Sequence, residues 1–315
     1  MSLSKRDTKP SRFERSLNPI EHLGRLTEGR YWAYYLIIPS ILLVAAVILY
    51  PVFSGIGLSF QEMRLTRPDK DGFVGLGHYQ DLMGDKVFRK AVQNTLIWVV
   101  FGVGSQFALG LITALCLNRS GRFMKVAGVL VLLPWILPSV VAANIWALML
   151  DARLGVINDV LVKLGVLESY HAWFADPNTA LPAALVISLW RGFPFFTLLL
   201  LAGLQAVDEE LYQAASVDGA SRLAKFWHIT LPMLTPIIVA TVVLRVIGLV
   251  NSPDLLLILT GGGPGQATQV LSLYAFQKAY IDFDFGYSGA ISVVMFVILM
   301  IFTVVYVRVT RAAQE

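Results

Sequence analysis

Charged and polar side chains that fall inside apolar runs are the residues here with chemistry to do. Arg245 stands within the apolar run 234–257, and Asn251, Ser252 and Asp254 follow it. Trp190 and Arg191 stand within the run 182–205, while Gln106, Asn144 and Trp146 fall in two others. A charge in such a setting is costly unless it meets a partner or water. Six residues at 1.5 Å rise separate Arg245 from Asn251 by about 9 Å along a helix, so together they can line one face of an aqueous path. The alternative for Arg245 is an internal hydrogen bond or ion pair that ties helices together. For Arg191 it is a guanidinium that reaches the membrane surface on its long stem.

Other chemistries find no support. No nucleophilic triad, hydrolase signature or metal cluster stands out. His22, His78, His171 and His228 lie in separate segments. The single cysteine, Cys116, excludes an intrachain disulfide and a thiolate zinc site, and within its apolar run it reads as a small buried hydrophobe. The stretch 261–268, GGGPGQAT, superficially suggests a phosphate loop. It lacks the Gly-Lys-Ser/Thr ending that would set a lysine on phosphate and a hydroxyl on magnesium. It reads instead as a glycine-rich turn, and neither a cofactor, a metal nor a nucleotide is expected on this chain.

The elements that must position these residues are membrane helices. Of 315 residues, 56% are hydrophobic and only 15% charged, where a soluble domain is about a quarter charged. Six apolar runs, 31–60, 91–117, 126–149, 182–205, 234–257 and 285–307, each hold the roughly 20 residues that cross a bilayer. The expected fold is all-α, a polytopic bundle of six transmembrane helices. Pro134 and Pro138 predict a kink or break in the third span, and Pro253 one near the end of the fifth. Gly102, Gly104 and Gly110 suit close helix contacts in the second. Residues 1–30 read as a polar, basic tail with no apparent cleavable signal peptide, 154–164 as a short amphipathic helix near the outer surface, and 309–315 as a C-terminal tail.

Basic residues set the orientation. The 118–125 loop carries Arg119, Arg122 and Lys125 with no acid, and Arg308 and Arg311 close the last span. These favour cytoplasmic N- and C-termini, against a first external loop that holds Arg64, Arg67, Lys70, Lys86, Arg89 and Lys90. The net charge of +4 is thereby read as basic loops rather than as nucleic-acid binding.

The most informative stretch is 208–236, DEELYQAASVDGASRLAKFWHITLPMLTP. Asp208 can cap a two-turn helix from Glu209 to Val217, whose acidic first turn suits the helix dipole. Gly219 permits a turn. A second short helix is expected from Ser221 to Ile229, with Leu223, Phe226 and Trp227 as apolar contacts, before Pro232 and Pro236 mark the return to the membrane. The alternatives are a compact docking knob and an ordinary loop.

This segment resembles the EAA loop of permease subunits in binding-protein-dependent ABC importers. The pattern is carried by Gln213, Ala214, Ala215, Gly219, Ile229, Leu231 and Pro232, and Asp218-Gly219-Ala220 matches the carbohydrate branch. The tract Leu259, Thr260, Gly261, Gly262, Gly263, Pro264 and Thr268 resembles that branch's second signature. The resemblance implies a type I ABC importer permease fold in a bacterial inner membrane, beside a second permease subunit of the maltose-type pair. It implies two cytoplasmic ATPase subunits, which use ATP and Mg, an extracytoplasmic solute-binding protein, and a sugar or polyol as solute. Glu209, Glu210, Gln213, Ala214, Ala215, Asp218, Gly219, Ala220, Arg222 and Phe226 would couple to the ATPase. Gln106, Asn144, Trp190, Arg191, Arg245, Asn251 and Asp254 would line the path, where aromatic faces and amides suit a sugar. Gly261, Gly262, Gly263 and Pro264 would meet the binding protein. Gln213 stands where the family has Glu, and it can hydrogen-bond but not form an ion pair. The rival reading is a stand-alone secondary transporter or channel, for which broken helices are equally suited. A membrane enzyme or scaffold lacks a catalytic constellation.

Overall fold

The computed structural model describes residues 32–67, 69, 71–119 and 121–312, so the tail 1–30 and residues 313–315 lie outside the described residues. Two compact units divide at Gly55 and Ile56. The first carries α1 (Trp32–Val44), a wide π turn (Ala45–Leu49) and the beginning of α2 (Tyr50–Leu58). Its large apolar side chains, such as Leu42 and Leu43, are exposed, as suits a helix with lipid around it.

The second unit continues with the short antiparallel pair β1 (Gln61–Glu62) and β2 (Gly72–Phe73), then α3 (Gly77–Gly84), α4 (Lys86–Leu117), α5 (Arg122–Ile136) and α6 (Ser139–Met149). After these come α7 (Val156–Lys163), α8 (Ala180–Gln205), α9 (Glu209–Val217), α10 (Arg222–Lys225), a second π turn (Phe226–Thr230) and α11 (Leu231–Asn251). The chain closes with α12 (Asp254–Leu259), α13 (Leu271–Tyr280) and α14 (Phe285–Ala312). Among the described residues five helices are long and apolar enough to cross a membrane, six if the bent pair α5–α6 is counted as one span. The polytopic all-α fold expected from hydropathy is therefore present.

Prolines explain the interruptions. Between α5 and α6 the direction changes by 94°. Leu137 sits there in an extended conformation (φ −65°, ψ 133°) because the ring of Pro138 disfavours helical geometry in the residue before it. Pro253 separates α11 from α12 in the same region of sequence where a break is expected. Both π turns end two residues before a proline, Pro51 or Pro232. A widened turn relieves the clash between a proline ring and the carbonyl four residues back. The second short helix anticipated from Ser221 to Ile229 thus does not stop: α10 runs through the π turn into α11.

The core forms where α4 and α8 run side by side in parallel and α11 packs against both in the opposite sense. Gly102 and Gly110 are buried on this seam, whereas Gly104 is exposed. Phe196, Ile187, Leu200 and Leu234 are fully buried around it. Cys116 is exposed rather than buried, because the outside of a bilayer helix is itself an apolar environment.

The two ends of this bundle differ. At the end where α4 and α8 begin (the loop end), Asn94 Nδ2 donates to the Gln266 and Gln269 carbonyls, both at 2.9 Å, and Thr95 Oγ1 accepts from the Leu271 amide at 2.9 Å. The Tyr274 and Tyr287 hydroxyls both donate to Asp85 Oδ2, at 2.5 and 2.8 Å, and Arg64 pairs with Asp284 at 3.2 Å. At the other end (the knob end) lie the 118–121 loop and α9–α10.

Candidate functional site

Several of the polar side chains inside the apolar runs meet in one cavity of about 210 Å³, lined by Trp98, Ser188, Arg191, Arg245, Gly248, Leu249, Ser252, Asp254 and Leu255. Four elements supply them: α4, α8, α11 and α12. Larger grooves of about 530 and 520 Å³ lie between the ends of α4, α5 and α8 and between α11 and α14. They are chiefly apolar and gather no comparable polar set.

Arg245 is held by a relay. Gln106, fully buried, donates from Nε2 to the Ser188 carbonyl (2.9 Å) and Oγ (3.0 Å). Its Oε1 is thereby aimed at Arg245 Nε, which donates to it at 2.6 Å. Gly192 makes the approach possible, since any Cβ there would overlap both the Gln106 amide and the Arg245 guanidinium. Asp254 is satisfied separately: Oδ2 accepts from Ser139 Oγ and Oδ1 from Ser252 Oγ, each at 2.9 Å. That pairing fastens α12 to the start of α6, just past the bend. Arg191 has no hydrogen-bond or ion-pair partner among the described residues, and its Nε is buried.

Gln106, Arg191, Arg245 and Asp254 thus come together at or beside this cavity. The others do not. Asn251 turns back to the Ile247 carbonyl (3.0 Å) and Asn144 to the Val140 carbonyl (2.8 Å), both exposed. Trp190 packs edge-to-face on Trp146, with ring centroids 5.6 Å apart. Trp98, Ser188 and Ser139 were not singled out from sequence. Helical spacing carried a signal for two of them. Trp98, Gly102 and Gln106 are spaced i, i+4, i+8 on one face of α4, and Ser188 lies three residues before Arg191.

The knob end has a different construction. Asp208 caps α9 by accepting from the Glu210 amide at 3.0 Å, and Glu209 and Glu210 occupy the first turn. The helix is closed by Gly219 at φ +77°, a conformation that disfavours any side chain. The Ala220 amide bonds the Ala215 carbonyl (2.9 Å) and the Gly219 amide that of Ser216 (3.1 Å), the paired closure of a Schellman cap. Ser221 caps α10 through the Ala224 amide at 3.2 Å. Two side-chain bonds fold the segment on itself: Tyr212 to Thr230 (2.9 Å) and Lys225 to Ser216 (2.5 Å). Large apolar side chains point outward among the polar ones: Val217 is 89% exposed, Leu223 68% and Trp227 55%. Gln213, Ala214, Asp218 and Arg222 are exposed as well, with Ala215, Ala220 and Phe226 half-buried.

In the glycine-rich turn, Gly261 is exposed, Gly262 buried, and Gly263 and Pro264 half-buried. Thr268 Oγ1 donates to the Gly263 carbonyl (2.8 Å) and Gln277 Nε2 to that of Gly261 (2.8 Å). The turn is anchored to α13, not a free flap.

Comparison with known proteins gives these arrangements a context. The profile of the family described as "Binding-protein-dependent transport system inner membrane component" matches residues 106–314. The trehalose/maltose transport system permease protein MalF of Thermococcus litoralis is 37% identical, over 90% of this chain and 94% of its own. The sulfoquinovosyl glycerol transport system permease protein SmoG of Agrobacterium fabrum is 36% identical, over 90% of this chain and 91% of its own. Among solved structures, a chain of a bacterial ABC transporter involved in import of the acidic polysaccharide alginate superposes with a TM-score of 0.79 at 22% identity. That match covers 93% of this chain and all of that one, a likeness of fold.

Proposed function

This chain belongs to the family of inner-membrane components of binding-protein-dependent transport systems, and from that premise we propose its working parts in detail. It is a multi-pass permease subunit of an ABC-type importer, and an ATPase partner supplies the ATP chemistry. Its solute is a sugar or related polyol, a reading supported by relatives named for trehalose/maltose and sulfoquinovosyl glycerol transport. It pairs with a second permease subunit, two cytoplasmic ATPase subunits and an extracytoplasmic binding protein.

The observation that carries the coupling role is the closed shape of residues 208–230. A segment capped at both of its helix starts and tied on itself by Tyr212–Thr230 and Lys225–Ser216, yet exposing Val217, Leu223 and Trp227, has the composition of a surface awaiting a protein cleft. The ATPase cleft is its proposed site, which puts the knob end, and with it both termini, in the cytoplasm. The loop end then faces outward, where the turn at Gly261–Pro264 would meet the loaded binding protein. Between them the Arg191–Arg245–Asp254 cavity lies on the solute path. ATPase closure would move the knob, and α10, continuous with α11, would transmit that motion directly to the helix bearing Arg245.

Reconstitution in proteoliposomes with all partners tests this reading. Uptake of a sugar or polyol should require ATP and the binding protein. Full ATP-independent uptake by this chain alone would sink it.

A further inference from the structure

The cavity between α4, α8, α11 and α12 has more hydrogen-bond donors than it can use. Trp98 is 2% exposed, and its Nε1 has no acceptor. Arg191 Nε is buried without one. Arg245 commits Nε to Gln106, and no acceptor among the described residues meets its two Nη atoms. The only carboxylate in the lining, Asp254, already takes one hydroxyl on each oxygen and lies in no ion pair with either arginine. Two guanidinium charges therefore face one carboxylate, inside a part of the chain that spans the membrane. Unpaired charge and unpaired donors in such a place are expensive, so an acceptor-rich anion is the complement they lack.

From this we infer that the cavity takes the anionic group of the solute, a carboxylate, sulfonate or phosphate carried on a sugar or polyol. The inference rests on the transport reading and narrows it. Arginine suits the task because its planar fork presents parallel N–H donors to two oxygens of such a group. The Ser188–Gln106–Arg245 relay fixes Nε and so sets the plane of the fork in advance. Trp98, in the same lining, has a further unused donor. At about 210 Å³ the cavity is smaller than the roughly 300–1,000 Å³ of a whole ligand pocket, which suits an acidic group and part of a ring. Asp254, tied to its two serines, keeps the site from holding two uncompensated positive charges between transport events. Gln106 is a positioning residue, while Arg191, Arg245 and Trp98 would touch the anion.

The test uses this chain with its partner permease in lipid nanodiscs and follows tryptophan fluorescence, with D-glucuronate and D-glucose as matched probes. D-Glucuronate should give a saturable change at a concentration at least tenfold lower than D-glucose. Arg245→Gln and Arg191→Gln should each remove that preference, and Arg245→Lys, which keeps the charge, should restore part of it. Equal responses to the two probes, no response to D-glucuronate, or a preference that survives both glutamine variants would each overturn the inference. An acidic side chain of the partner permease filling the cavity would give the second of these results. ATP-coupled uptake by the full assembly is scored separately. Uptake confined to neutral sugars leaves the importer standing and removes the anion site. An anion preference without ATP-coupled uptake does the reverse.

Discussion

The loop end and the knob end of the bundle are both polar, yet they dispose of their polar groups in opposite ways. At the loop end the bonds run between elements far apart in sequence. Asn94 reaches Gln266 and Gln269, Thr95 reaches Leu271, and Asp85 gathers Tyr274 and Tyr287. At the knob end the caps and bonds stay within 208–230, and Val217, Leu223 and Trp227 are left outward among exposed polar residues. The loop end is thus held in place by the chain's own bundle, and a partner docking there meets a fixed surface. The knob keeps its shape by local bonds but leaves Val217, Leu223 and Trp227 uncovered, which is the surface the proposed ATPase contact would use.

The largest effect that follows from this contrast is on stability at the loop end. Asn94→Ala strips donors from two carbonyls, one bond of which is buried. The Gln266 carbonyl keeps the Gln269 amide, and one unsatisfied buried polar group costs about 1–3 kcal/mol, so the variant should lose about that much in thermal or denaturant unfolding of the isolated chain. A change below about 0.5 kcal/mol, the size of an ordinary surface substitution, would mean that these bonds are ornamental and that the contrast fails.

The next effect is on assembly at the knob. Trp227→Ala should leave the isolated chain within about 0.5 kcal/mol of the parent. Binding to the cognate ATPase should weaken about 10- to 30-fold, the loss of about 1.4–2 kcal/mol expected of an aromatic anchor. Calorimetry or interferometry on the purified partners reads it directly. Unchanged affinity with lowered stability would reverse the assignment, making Trp227 a packing residue of this chain.

Sequence made one of these ends readable and hid most of the other. The knob is local, so Asp208 announced its first cap and Gly219 its turn, whereas Ser221, expected as the first residue of the second helix, is its cap. Even so, the continuity of α10 with α11 was missed, because Pro232 argues for a stop unless a π turn makes room for its ring. Hydropathy revealed the spans and Pro138 the bend, since both are properties of adjacent residues, while Pro134, expected to interrupt the span as well, stays inside α5. The cavity was legible only as a set of charges in apolar runs. Gln106 joins Ser188 across 82 residues and Arg245 across 139, and no local pattern states which helix faces meet. Asn144 and Asn251 bond back to their own helices and stay outside this cavity.

A smaller and more local effect is expected at Gly219. With φ at +77°, Gly219→Ala should cost about 1 kcal/mol, the lower part of the range for a left-handed non-glycine residue. Because the knob makes its bonds within itself, this cost should appear as faster amide exchange in residues 209–221 and weaker ATP-coupled uptake, with the melting of the bundle little changed. If the whole bundle melts earlier by that amount, the knob is part of the core's cooperative unit and the two ends are less distinct than their bonding suggests.

The smallest effect tests the loop end through pH. Burial works to raise the pKa of Asp85, but donors from Tyr274, Tyr287 and the amides of Val87 and Phe88 outweigh it and hold the carboxyl below its ordinary value. A group whose pKa is lower folded than unfolded binds its proton more readily in the unfolded chain. Its contribution is therefore fully present above the unfolded value of about 3.9 and is lost as pH falls through the folded one. Stability measured from pH 7 downward should stay level in this respect until the ordinary carboxylate range and then decline. Asp85→Asn should flatten that decline, since the amide does not titrate. Tyr274→Phe should flatten it more than Tyr287→Phe, because the Tyr274 bond is the shorter, 2.5 against 2.8 Å. Both hydroxyls donate to the same oxygen, so the two phenylalanine effects should add to less than their sum. An acid limb unchanged in Asp85→Asn would assign the decline to other carboxylates and leave Asp85 as a helix cap alone, accepting from Val87 at 2.7 Å.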